Sequence, residues 1–154
     1  MTNTLTCTLL IGLIAGSTSV FAQDADDSAP LTDCDTYAAD NLDQQRKATD
    51  HRLGPIDPQL AIPACKQAIT QYPKETRFVY ALGDAFDANK EYEKALEQYR
   101  KAAEKNYIAA IRSIGIYYAN GQGVEKDEAQ AVTWYRKAAE QGDATAQGLS
   151  LIHI

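Results

Sequence analysis

YRKAAE stands at Tyr99–Glu104 and again at Tyr135–Glu140, an offset of 36 residues (135 − 99 = 36). Six identical residues at a fixed spacing in a short chain mark an internal repeat. Around the first copy, Tyr92, Ala95, Leu96, Tyr99, Ala102 and Ala103 recur in steps of three and four, which is one face of a helix. Shifted by 36, these positions become Glu128, Ala131, Val132, Tyr135, Ala138 and Ala139, and five of the six keep their character. Catalysis does not require a duplicated helix surface. Stacking does.

The preceding segments also correspond, at a shorter offset. Val79, Leu82, Gly83 and Phe86 reappear as Ile111, Ile114, Gly115 and Tyr118, 32 residues on. The difference (36 − 32 = 4) is an insertion in NGQGVEKD, Asn120–Asp127, where the first unit turns through DANKEY, Asp87–Tyr92. Gly121 and Gly123 allow the tight backbone, and Asp127 is suited to cap the following helix. This GxG joins two helices and follows no strand, so it is not a dinucleotide fingerprint. Gly83 and Gly115 fall inside helices, where glycine costs about 1 kcal/mol relative to alanine. Close packing against Ala95 and Ala131 is the expected compensation. Asn106 and Gly142, again 36 apart, are residue types that tolerate the left-handed conformation ending a helix. The pattern predicts an all-α stack of antiparallel helix-turn-helix units.

Outside the repeat, the ends differ in kind. Residues 1–22 carry no charged side chain, are apolar over Leu9–Ala15 and end in Ser-Val-Phe-Ala. They are expected to be a secretory signal cleaved after Ala22; an uncleaved anchor is the other reading. The apolar core is shorter than the roughly 20 residues a span requires. Residues 23–33, acidic and small, are expected to form a disordered leader. The last residues, LSLIHI, leave the repeat where a third unit, begun at 143, should continue. Their codons can be written CTG-TCT-CTT-ATA-CAC-ATC, a string resembling a transposon-derived sequencing adapter. Residues 148–154 are therefore expected to be a non-native tail, with a short natural hydrophobic tail as the alternative.

The formal charge is −6, with a pI near 4.8. Such a field repels phosphate backbones and argues against nucleic acid as a partner. With Cys7 leaving in the signal, Cys34 and Cys65 remain, an even number in an oxidising compartment. They are expected to form a disulfide that staples an N-terminal helical cap over 34–73; two free thiols are the alternative. Within that cap, Cys34 opens a short helix expected to reach Asn41, and residues 44–56 read as loop. Asp57-Pro58 should open a second helix running to about Tyr72, which Pro63 either bends or truly begins.

Two stretches resemble known repeats. LGDAFDANKEYEKALEQYRKAA resembles a tetratricopeptide repeat. IGIYYANGQGVEKDEAQAVTWYRKAAEQGDATAQ resembles a Sel1-like repeat, with its Gly-x-Gly-Val loop, Trp-Tyr pair and Ala-Ala-Glu-Gln-Gly end. CDTYAADNLD and AIPACKQAITQYP are similar to the leader of exported bacterial Sel1-like proteins. The resemblance implies a right-handed solenoid, with units at 74–106 and 107–142, serving as a scaffold for protein partners. It does not imply an enzyme. The chain departs from relatives that carry a disulfide in every repeat.

No nucleotide, metalloprotease, serine-hydrolase or CxxC motif is present. No cofactor and no metal are expected, and His51 and His153 read as surface residues without a ligand set. Asp84 and Asp87 could serve as acid and base, but a solvated helix face is the expected reading. Trp134, beside the seam residue Tyr135, reads as packing. By analogy with tetratricopeptide grooves, the outward face of each first helix would carry recognition: Tyr80 and Asp84, then Arg112 and Ile116, with Arg77 nearby. The same mixture would suit plain solvent, or a face covered by further repeats. The expected function is an exported scaffold for protein–protein interaction in the periplasm or outside the cell. The alternatives are the truncated front of an envelope hydrolase or its regulatory module, and a structural spacer.

Overall fold

The computed structural model describes residues 30–38 and 56–152. Over these residues the chain is all-α, with helices α1 (Asp33–Tyr37), α2 (Pro58–Gln71), α3 (Thr76–Ala88), α4 (Tyr92–Glu104), α5 (Ile108–Asn120), α6 (Glu128–Glu140) and α7 (Ala144–Ile152). Each packs on the next in chain order, the arrangement of a solenoid. The signal segment, most of the leader, the 44–55 stretch, His51 and His153 lie outside the described residues.

Local chemistry sets the ends. Thr32 and Asp35 form a reciprocal capping box at the start of α1, with Thr32 N–H donating to Asp35 Oδ2 at 2.7 Å. That helix stops at Tyr37, short of the expected Asn41. Asp57 caps α2 by accepting from Gln59 N–H at 3.0 Å, and Pro58 occupies the first turn. Pro63 therefore lies inside α2 and does not begin it. Asp127 caps α6 by accepting from Gln130 N–H. Asn106 (φ 59°) and Gly142 (φ 95°) both adopt the left-handed conformation just past their helices.

The seams are built from one repeated contact, in which a tyrosine ring is the nearest neighbour of each helical glycine. A Cβ on Gly83 would lie 2.5 Å from Tyr99 Cε1, and one on Gly115 would lie 2.6 Å from Tyr135 Cδ1. The glycines are notches for the tyrosine rings of the paired helix. At Gly115 the carbonyl oxygen of Ala131 also lies close, 3.3 Å from the Cβ position.

α2 belongs to the same scheme. Its buried Ala61, Cys65 and Ala68 sit 34 residues before Ala95, Tyr99 and Ala102, and these sit 36 before Ala131, Tyr135 and Ala138. Cys65 thus takes the tyrosine position. It is bonded to Cys34 of α1, both fully buried. Where α3 meets α4 and α5 meets α6 through a glycine and a ring, α1 meets α2 through a disulfide.

The four-residue insertion also has a seat. A Cβ on Gly123 (φ 62°) would lie 2.6 Å from Tyr92 C and 2.7 Å from Glu93 N. The loop of the second unit therefore presses against the backbone that opens α4, and Val124 packs on the core beside it. Trp134 is half-buried against the core, with Lys137 Nζ 5.2 Å from its ring centre.

Candidate binding cleft

Tyrosines dominate the space between α3 and α5. Tyr80 stacks on Tyr107 (centroids 5.2 Å apart) and on Tyr99 (5.5 Å); Tyr99 meets Tyr117 edge to face (5.3 Å), and Tyr117 meets Tyr92 (6.3 Å). This ladder ties α3, α4 and α5 together, because such ring pairs add to the apolar area they bury.

Two phenols turn their hydroxyls to carboxylates on α3. Tyr99 donates to Asp84 Oδ1 at 2.9 Å, and Tyr117 donates to Asp87 Oδ1. Burial raises the Tyr99 phenol well above its ordinary pKa, and the charge of Asp84 adds to the effect. Tyr117 is raised first by burial and then by the bond it donates to Asp87. Both phenols stay protonated and act as donors at neutral pH. Asp84, only 7% exposed, is not the solvated carboxylate expected from sequence; Asp87 is half-buried.

These residues wall a cleft of about 320 Å³, completed by Ile56, Ala88, Arg112, Ser113, Ile116 and Gln122. Arg112 is 2% exposed and reaches Asp143 Oδ2 at 2.6 Å from its Nη1. Asp143 in turn accepts from Ala146 N–H at 2.8 Å, capping α7. The ion pair occupies, at the next seam, the positions of Tyr80 and Tyr107 in the repeat.

Of the residues expected to carry recognition, Tyr80, Asp84, Arg112 and Ile116 converge on this cleft. Arg77 does not. It is buried elsewhere, with its Nε 3.3 Å from Asp35 Oδ1 and its Nη2 donating to the Pro30 carbonyl at 2.9 Å, tying α3 to α1. An outward, exposed face is also corrected, since Tyr80, Asp84 and Arg112 are mostly covered and only Ile116 is half-exposed. Sequence reasoning weighed Asp87, one turn from Asp84, only as an acid or base and not for recognition, and it missed Tyr99 and Tyr117 as lining; the i, i+3 spacing of the aspartates was the available signal. Nothing in the sequence pointed to Ile56. Among the described residues, no group of His, Cys, Asp and Glu could hold a metal, and no helix is long and apolar enough to cross a membrane.

The glycine-notch seam and the left-handed exits recur in two units, the second of which adds the docked GxG loop, and both units match a known profile. The profile of the Sel1 repeat fits residues 79–107 and 108–143. The chain carries two Sel1 repeats. Over 54 residues it is 39% identical to a protein named exopolysaccharide production negative regulator, from Rhizobium leguminosarum bv. viciae. That match takes in 35% of this chain and spans a fifth of the regulator's length. The Sel1 repeats indicate a scaffold for protein interaction, and the cleft lies between the first helices of the two units.

Proposed function

We propose that this chain is an exported scaffold without catalysis of its own, holding a protein or peptide partner at the cleft between α3 and α5. The observation that carries the reading is the division of labour between positions. Seam residues repeat (Gly83 and Gly115, Tyr99 and Tyr135), whereas cleft positions diverge, Tyr80 to Arg112 and Asp84 to Ile116. A constant frame with a locally varied lining suits recognition. Among the described residues the lining holds no histidine or cysteine, and the phenols beside its carboxylates are held protonated. Export is supported by the uncharged apolar start and by a buried cysteine pair of the kind that persists in oxidising compartments. Action through a bound partner is in keeping with the relative's name as a regulator.

A photo-crosslinking amino acid at Ile116 tests the site, with the exposed position Glu97 on α4 as the control. The expected result is a discrete adduct from 116 and none from 97. Adducts from 97 alone would move the binding face away from the cleft. Mass spectrometry of envelope fractions should find Gln23 as the new N-terminus; a mature chain retaining Met1 refutes cleavage. Turnover of a cell-wall or β-lactam substrate by purified protein would refute the non-catalytic reading.

A further inference from the structure

One cation on each second helix leans the same way along the stack. On α2, Lys66 Nζ lies 5.8 Å from the ring centre of Phe86 on α3. On α4, Arg100 Nη2 donates to the Tyr118 hydroxyl on α5 at 3.2 Å. Phe86 and Tyr118 hold corresponding places in α3 and α5 (118 − 86 = 32), so the two cations project over the same edge. Arg136 continues the row on α6, one repeat after Arg100 (136 − 100 = 36). All three are exposed, and none belongs to an ion pair among the described residues. Neighbouring charges are already matched. Lys101 pairs with Glu97 at 2.6 Å, and Glu91, whose charge Lys66 also feels, is held by Lys94 and the Asn89 amide. The other acids lie off the row. Glu97 and Glu104 stand one turn before and after Arg100, and Glu140 follows Arg136 by one turn. Positive charge therefore runs across the helices, with negative charge to its sides.

We propose that the row Lys66, Arg100 and Arg136 is a second binding edge, for one extended acidic segment of a protein partner. None of the three lines the cleft, so the edge works whether or not the cleft is occupied. A flat anionic membrane or a nucleic-acid duplex laid on this face would meet the flanking glutamates as well as the cations. A single strand crossing from α2 to α4 to α6 meets the cations alone. Carboxylates suit them, because a guanidinium forks onto a carboxylate. In an extended segment, alternate side chains point to one side about 7 Å apart, on stems flexible enough to reach cations set one per unit. The whole-chain charge of −6 does not forbid this, since charges farther away than about 8 Å are largely screened at physiological salt.

The probe is an acetylated, amidated dodecapeptide of alternating glutamate and serine, titrated into the full chain at low salt by NMR. Amides around Lys66, Arg100 and Arg136 are expected to shift saturably, with affinity falling as salt rises. The matching glutamine-serine peptide should not saturate. Arg100→Gln/Arg136→Gln should weaken the acidic peptide by about fivefold or more. Should that variant fail to fold, Arg136→Glu reverses one charge of the row at an exposed position and should weaken binding comparably. Lys105→Gln/Lys126→Gln makes the same change in net charge as the arginine pair, away from the row, and should alter affinity by less than about twofold. Tyr118→Phe removes the internal partner of Arg100 but keeps the cation, and should bind as the unaltered chain does. Equal binding of the neutral peptide overturns the proposal, as does unchanged affinity in a folded arginine variant. An equal loss in Lys105→Gln/Lys126→Gln would reduce the effect to net charge and overturn it too. Tighter binding of an oligogalacturonate of matched charge would overturn the assignment to a polypeptide. Row-dependent capture on phosphatidylglycerol vesicles would overturn the assignment to a single strand. Failure of the edge alongside a discrete adduct from position 116 would sink this inference and leave the cleft reading standing.

Discussion

Tyr99 meets Gly83, Tyr80 and Tyr117 with its ring and Asp84 with its hydroxyl, so its position is fixed from four directions. A methyl group at residue 83 cannot push it aside without breaking the bond to Asp84. Gly83→Ala should therefore destabilise by about 1–3 kcal/mol through overpacking, even though alanine is the better helix former by about 1 kcal/mol. Urea unfolding measures the difference; a stabilised variant would mean that the ring yields. The same residue sets an alkaline limit. Tyr99 and Tyr117 have phenol pKa values raised in the folded state. Below the unfolded value of about 10 both states are protonated, and the full stability is present. Above it the unfolded chain loses protons that the folded chain retains, so stability falls as pH rises toward the folded values. Melting temperature should drop from about pH 10 upward, and Tyr99→Phe/Tyr117→Phe should flatten that drop.

At the scale of elements, two neighbouring seams solve one problem with different chemistry. α3 reaches the next unit through Tyr80 on Tyr107, while α5 reaches it through Arg112 on Asp143. Removing one member of a buried pair strands the other, so Arg112→Ala should cost about 3–5 kcal/mol. Replacing both to copy the first seam, Arg112→Tyr/Asp143→Tyr, should recover most of that loss, less about 1 kcal/mol for the α7 cap that Asp143 provides. Equilibrium unfolding of the single and double variants checks the order; a double variant worse than Arg112→Ala would show that the seam does not accept the ring pair. How much of this was legible follows from duplication. α3 to α6 could be read because each of their faces is written twice. α2 could not be read as a member of the series, because cysteine stands where the others have tyrosine and Pro63 interrupts the helical pattern. Asp84 was read as solvated because one sequence does not say whether a polar position on a first helix faces water or a tyrosine of the paired helix. Gly123 was legible as a loop residue, but its seat on Tyr92 and Glu93 depends on a neighbour 30 residues back in the chain (123 − 93 = 30).

Across the described residues, the α1–α2 pair is closed covalently, and the α3–α4 and α5–α6 pairs by non-covalent contacts. Cys34 and Cys65 are 31 residues apart, and a loop of that length adds about 3–4 kcal/mol on the chain-entropy model. Reduction should release α1 and α2 first. Hydrogen exchange should then rise in Asp33–Tyr37 and Pro58–Gln71 while α4 and α5 stay protected; uniform loss across all helices would show that the stack unfolds as one body. Stacks of near-identical units are prone to slipping by one place or exchanging units between chains. Here a slipped unit would set Arg112 against Tyr107, or Tyr80 against Asp143, a charge buried opposite a ring. Each joint therefore carries its own address. The chain can repeat its helices almost word for word and still assemble in only one order.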